Sequence, residues 1–167
     1  MTDKNKNPTN QVDLRPVVLP DDEDFLKDLY FSTRDDLNLL PLEEPQKQML
    51  ITMQYSAQKQ QYGLQFPGAS HDLILCDKVP AGRLFVNREA DKIYLVDIAL
   101  LAKYRGAGIG TAIMKDLAEE AENSGAVLSL HVMKTNPAAR LYIRMGLTVT
   151  ADDGLYLEMK KFPTAKI

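Results

Sequence analysis

Val96-Asp97-Ile98-Ala99-Leu100-Leu101-Ala102-Lys103-Tyr104-Arg105-Gly106-Ala107-Gly108-Ile109-Gly110-Thr111 joins an apolar run to an amphipathic one through three glycines. Upstream, Lys92 to Leu101 reads as a strand. Downstream, Ile109, Ile113, Leu117, Ala118 and Ala121 recur at helical spacing, with Lys115, Asp116, Glu119, Glu120 and Glu122 mainly on the other face. A helix is therefore expected from Gly110 to Asn123, ended by Ser124-Gly125. A strand, a glycine turn and a helix start in this order present free backbone N–H groups at the positive end of a helix dipole, where phosphate is favoured.

Several readings of the turn compete. Glycines permit a tight turn whatever its purpose. A dinucleotide site needs G-x-G-x-x-G and an acid on a following parallel strand; neither is present. A nucleoside-triphosphate loop needs G-K-[ST], but Thr111 follows Gly110 rather than lysine. There remains a pyrophosphate held outside both frameworks, on Arg105-x-x-Gly108-x-Gly110. Gly106, Gly108 and Gly110 would let phosphates approach the backbone, Thr111 could add its hydroxyl, and Arg105 could supply charge or hold the turn.

Working outward, Val12 to Leu19 reads as a first strand and Asp21 to Arg34 as a helix, with Phe25, Leu26, Leu29 and Tyr30 at helical spacing. Pro41 and Pro45 bracket the entry to a second helix. Its expected apolar stripe is Met49, Leu50, Met53 and Ala57, and it runs to about Tyr62 before the turn at Pro67-Gly68. Strands follow at Asp72 to Asp77, Ala81 to Asn87 and Lys92 to Leu101, with a turn around Lys78-Val79-Pro80. After the glycine-turn helix come a strand at Val127 to Val132 and a short helix at Pro137 to Met145. Strands at Leu147 to Thr150 and Leu155 to Lys160 complete the order. This order predicts a mixed α/β sheet. Residues 11–162 are expected to form one domain, between a disordered polar tail over 1–10 and a short tail over 163–167.

Composition narrows the class. A net charge of -3 gives no support to nucleic-acid binding. The single cysteine, Cys76, rules out an internal disulfide and a cysteine metal cluster. With only His71 and His131, a histidine-rich metal centre is excluded as well. No apolar run reaches the roughly 18 residues of a membrane span. The polar, lysine-rich start lacks the apolar segment of a signal peptide. A reduced cytoplasmic location is the expectation, with no metal and no membrane partner.

A second element completes the pattern: Asn136-Pro137-Ala138-Ala139-Arg140-Leu141-Tyr142-Ile143-Arg144-Met145-Gly146-Leu147. With Arg105 to Gly110 it resembles the paired acetyl-coenzyme A motifs of the GCN5-related N-acetyltransferases (GNAT), Q/R-x-x-G-x-G/A and N-x-x-A-x-x-(L/Y)-Y-x-x-x-G-F, with leucine at 147 in place of phenylalanine. The resemblance spans about Gly82 to Lys161. It implies a strongly twisted mixed sheet with helices on both faces. The strands at Lys92–Leu101 and Val127–Val132 would splay apart, and the pantetheine arm would enter between them. It places Ile98, Ala99 and Leu100 along that arm, Arg105 to Thr111 (Ala107 and Ile109 included) around the pyrophosphate, and Asn136 and Ala139 beside the cofactor. Asn136 before Pro137 is also sound helix-capping chemistry.

Acetyl transfer to an amine needs an uncharged nitrogen, a proton acceptor, a donor for the carbonyl and an acid for the leaving sulfur. The resemblance points to Tyr142 as that acid; an aromatic packed on the short helix is the structural alternative. His131 alternates with Leu130 and stands where related acetyltransferases of ribosomal-protein amino termini carry a catalytic glutamate. It is a candidate base or water organiser, as is Asp97 in the cofactor strand. Each has a purely structural alternative. Tyr94 replaces a glutamate common in histone-acetylating relatives. His71-Asp72 is a weak base or metal signal.

The acceptor pocket is expected near the first two helices, with Arg34, Asp35 and Asp36 in their loop and Tyr55, Tyr62, Phe66 and His71 nearby. A small amine or a peptide or protein amino group would serve, and a homodimer is compatible with the sequence. A non-catalytic acyl-coenzyme A sensor is the alternative class.

Overall fold

The computed structural model describes residues 10–165. The tail expected over 1–10, apart from Asn10, lies outside them, as do the last two residues. Seven strands form, namely β1 (Val12–Pro16), β2 (Ser70–Cys76), β3 (Val79–Arg88), β4 (Lys92–Leu100), β5 (Val127–Met133), β6 (Thr148–Asp152) and β7 (Tyr156–Lys161). The α-helices are α1 (Glu23–Ser32), α2 (Glu44–Gln65), α3 (Ile109–Ser124) and α4 (Ala138–Arg144). The strands make one sheet in the order β1-β2-β3-β4-β5-β7-β6. Its β4–β5 pair is parallel and its other pairs are antiparallel. The mixed sheet and the element order match the expectation.

Two irregularities position the site. The parallel ladder joins only Lys92–Leu95 to Val127–Leu130. Both strands continue past its end, so the sheet splits there. A bulge also falls at Val96, because Phe85 pairs with Asp97 while Val86 pairs with Leu95. The extra residue shifts the two-residue alternation by one, which puts Tyr94 and Asp97 on the same face.

The core divides about the sheet. On one face, Ile109, Ile113, Met114, Leu117, Ala118 and Ala121 of α3 pack with Leu84, Val86, Leu95, Leu128, Leu130 and Met159. This is the apolar stripe read from the sequence, with Met114 added. On the opposite face, Leu26 and Tyr55 bury against Leu73 under α1 and α2.

Several expectations need correction. The stripe of Met49, Leu50, Met53 and Ala57 is not what α2 buries. Met49 and Met53 are 67% and 63% exposed, whereas Ile51 and Tyr55 are buried. The inner face of α2 covers charged groups and is itself polar: Gln58 accepts a bond from Arg83, and Gln54 accepts one from Arg34. The β2–β3 turn falls at Asp77 and Lys78, both left-handed at φ 51° and 69°, and Val79 and Pro80 belong to β3. Strand β1 stops at Pro16 rather than Leu19: Val17 still donates to the His71 carbonyl, but the Val18 N–H turns away to the Asp22 carboxylate that leads into α1. An unexpected 3-10 turn covers Asp35–Leu39.

Candidate active site

The glycine turn is built around two left-handed residues. Gly106 has φ 74° and Gly108 has φ 84°, a region that L side chains occupy at a penalty of about 1–2 kcal/mol. Gly108 caps α3, whose first turn holds no acidic residue and no side-chain cap. The N–H groups of Ile109, Gly110 and Thr111 therefore have no partner within the helix. Arg105 donates from Nε to the Leu100 carbonyl at 3.0 Å, so it ties the end of β4 to the turn. These are the donors a pyrophosphate needs, with no competing carboxylate in the turn.

Beside the turn runs an unfinished strand edge. The Leu101 N–H donates to the Ala81 carbonyl at 2.9 Å, so it faces β3. By alternation Ala99 also faces β3, and Ile98 and Leu100 turn their backbone groups toward the split. Gly82 permits the close approach on the β3 side, since a Cβ there would lie 2.1 Å from the Ala99 oxygen. An extended amide-bearing chain such as pantetheine would find unpaired N–H and C=O groups along this edge.

Turn, edge and α4 enclose a cleft of about 840 Å³. Its walls include Asp97, Ile98, Ala99, Leu100, Arg105, Gly106, Gly108, Ile109, Gly110, Thr111, Asn136 and Tyr142. The structure thus brings nearly all the expected residues together. Ala107 and Ala139 are not among the walls; Ala139 packs against the core. Asn136 accepts from the Ala138 N–H through Oδ1 at 2.9 Å, so it caps α4 while facing the cleft. Tyr142 is buried. Burial and the negative charge of Asp97 push its hydroxyl up to about 12, so it stays protonated at working pH.

Asp97 is already partnered. Arg83 donates to its Oδ2 from Nε at 2.9 Å and from Nη2 at 2.5 Å, and Nη2 also donates to Gln58 at 2.7 Å. Asp97 Oδ1 makes no such bond and its residue faces the cleft. Arg83 and Gln58 were not singled out from the sequence. The available signal was a lone arginine within the apolar run Ala81 to Val86, because a charge buried in a strand demands a partner.

The wall on the α1 side holds Tyr30, Ser32, Thr33 and Asp35. Of the charged loop residues, Arg34 and Asp36 bond to each other, leaving Asp35 to face the cleft. Tyr55, Tyr62 and His71 line a separate cavity of about 110 Å³. There burial holds the His71 imidazole down to about 4. His131 is not among the walls of the large cleft. It stands half exposed on β5, with Nδ1 2.8 Å from the Tyr94 hydroxyl. Cys76 is buried in β2. Among the described residues no cluster of three potential metal ligands occurs, and no helix is long and apolar enough to cross a membrane.

A cleft with a glycine turn at one end, an open strand edge along it and a buried tyrosine beside it fits an acyl-coenzyme A acyltransferase fold. The family model described as acetyltransferase (GNAT) family matches residues 36–147, and the chain belongs to that family. Among solved structures, a Thermoplasma acidophilum PaiA N-acetyltransferase in complex with coenzyme A is 18% identical, with TM-score 0.68 over 91% of this chain and 99% of that one. A Corynebacterium glutamicum structure titled histone acetyltransferase HPA2 and related acetyltransferase is 20% identical, with TM-score 0.65 over 95% and 98%. The ribosomal-protein-S18-alanine N-acetyltransferase of Escherichia coli is 19% identical, with TM-score 0.60 over 93% and 97%. At these identities the likeness is one of fold. No curated protein matches the chain in sequence.

Proposed function

We propose that the chain is an N-acetyltransferase that uses acetyl-coenzyme A to acetylate a primary amine by direct attack in a ternary complex. The observation that carries this reading is the meeting, in one cleft, of the α3 donors, the open β4 edge and the protonated Tyr142. When bound, the thioester supplies the activated acetyl group. The N–H groups of Ile109, Gly110 and Thr111 hold the pyrophosphate. Ile98 and Leu100 align the pantetheine, and Asn136 offers its side-chain N–H groups to it.

Tyr142 stands ready to give its proton to the leaving sulfur. Asp97 Oδ1, with Oδ2 held by Arg83, receives the incoming ammonium group. Asp97 and His131 are the candidate proton acceptors. The wall formed by Tyr30, Ser32, Thr33 and Asp35 supports a polar, cationic acceptor such as a small amine or a peptide amino group. The test is coenzyme A release from acetyl-coenzyme A against a panel of amines and short peptides. Release that depends on the acceptor supports the enzyme. Tight binding with no release across the panel supports an acyl-coenzyme A sensor instead.

A further inference from the structure

The charges that line the cleft are sorted by place. Its acids are Asp35, from the turn after α1, and Asp97, from β4 where the sheet splits. Its cations are Arg83, Arg105 and Arg144. Arg83 is held by Asp97, and Arg105 ties its Nε to the Leu100 carbonyl. Arg144 is exposed on the last turn of α4 and has no carboxylate or hydrogen-bond partner among the described residues.

The place of Arg144 along α4 decides what it can reach. The Asn136 N–H donates to the Met133 carbonyl at 2.9 Å, so α4 begins close to the end of β5. Further on, Leu141 meets the first turn of α3: its Cδ2 lies 3.5 Å from where a Cβ on Gly110 would stand. Pro137, Leu141 and Arg144 share one helix face, and all three line the cleft. Arg144 is one turn past Leu141, about 4.5 Å further along the axis. It stands beyond the glycine turn, on the side away from the split. Coenzyme A carries its charge in the same order: an uncharged pantetheine arm, a pyrophosphate, and then a ribose with a 3′-phosphate.

We propose that Arg144 is a specificity-determining residue that takes the 3′-phosphate of coenzyme A, so that the cleft prefers coenzyme A to its 3′-dephospho form. The inference rests on the acyl-coenzyme A reading given above. The pyrophosphate is met by backbone N–H groups at the start of α3. No such donors await the next phosphate, because α4 ends there and its last carbonyls carry partial negative charge. Only a side-chain cation can hold an anion at that end. A phosphate monoester carries about -1.5 to -2 charges at neutral pH, and a guanidinium can fork onto two of its oxygens. Position 144 is also one of the three unspecified positions between Tyr142 and Gly146 in the paired motif. A cation in the last turn of a helix is favourable by itself. That role, however, needs no place in the cleft: Arg140 is equally exposed on α4 and does not line it.

Calorimetric titrations with coenzyme A and with 3′-dephospho-coenzyme A compare the parent, Arg144→Gln, Arg144→Lys and Arg140→Gln, with thermal melts to show that each is folded. At low salt the parent should bind coenzyme A about tenfold or more tightly than the dephospho form, the ordinary size of one charged hydrogen-bonded contact. Arg144→Gln should lose that preference through weaker binding of coenzyme A alone. Arg144→Lys should keep part of it, and Arg140→Gln should keep all of it. Added sodium chloride should shrink the parent's preference toward that of Arg144→Gln, because the contact is exposed to solvent. A parent without preference, or an Arg144→Gln protein that retains it, would overturn the assignment. An equal loss toward both ligands in Arg144→Gln would put Arg144 on the pyrophosphate, and an equal loss in Arg140→Gln would reduce the effect to net charge; either also overturns it. All of these leave the transferase reading standing. A folded parent that binds neither nucleotide would overturn that reading as well.

Discussion

Gly108→Ala and Gly110→Val should separate backbone strain from ligand contact within one turn. Gly108 sits at φ 84° with open space around a would-be Cβ, so alanine there meets no clash and pays only the left-handed penalty. That penalty is about 1–2 kcal/mol. For a chain of this size each kcal/mol moves the melting temperature by about 2–4 °C, so a fall of about 2–8 °C is expected. Gly110 is helical, and its Cβ would rest 3.5 Å from Leu141 Cδ2, an ordinary contact. Valine is the better helix former by a few tenths of a kcal/mol, so the melting temperature should stay within about 2 °C. Its branches, however, would crowd the phosphate donors. Losing one hydrogen bond to a charged partner weakens binding by about 1.5–3 kcal/mol, or about ten- to a hundredfold. Thermal melts read the first quantity and calorimetric titration with coenzyme A the second. Parent-like coenzyme A affinity in a folded Gly110→Val protein would refute the cradle, and parent-like stability in Gly108→Ala would refute the strain argument.

Tyr142→Phe should lower kcat by about a hundredfold with coenzyme A affinity nearly unchanged, measured by acceptor-dependent thiol release. Because its hydroxyl is held up to about 12, the parent's rate should show no basic limb from Tyr142 below about pH 11, and a limb tied to Tyr142 at pH 9 would contradict its assignment as the acid. Gly82→Ala should destabilise the fold by about 2 kcal/mol or more, because its Cβ would collide with the Ala99 carbonyl, a backbone atom; a urea midpoint equal to the parent's would show that β3 and β4 separate freely. His71 is depressed from 6.5 to about 4, so the unfolded chain takes up its proton first. Stability from this group is fully present above about pH 6.5 and is lost as pH falls toward 4. His71→Phe should flatten that part of the pH–stability curve, and an unaltered slope would exclude His71 as its source.

The glycine turn and the Asn136–Gly146 element could be read directly, because φ above zero and helix capping are local demands that specify residue types. The α3 stripe was readable for the same reason: one apolar face packs against one apolar sheet. Helix α2 departs from its expected stripe because its buried face looks onto the Arg83–Asp97 pair, where glutamines and tyrosines are at home and methionines are left outside. The bulge at Val96 had no sequence mark, since Leu95, Val96 and Asp97 fit an unbroken strand as well as a broken one. With the bulge unread, the faces of Tyr94 and Asp97 could not be related. The Tyr94–His131 contact was beyond reach, because it depends on two strands separated by α3 in the chain.

The split between β4 and β5 leaves a row of unmet hydrogen bonds in the middle of a sheet, not at its rim. Such a row is a template for any extended chain, including a misfolded neighbour's. Arg105 closes one end of it by occupying the Leu100 carbonyl. The rest is protected only by whatever occupies the cleft. The protein's resistance to heat and aggregation is thus tied to its ligand supply: at a free coenzyme A concentration a hundred times Kd, mass action alone adds about 2.7 kcal/mol to folding. Purified without that ligand, the chain exposes a seam that it would keep shut in the presence of its cosubstrate.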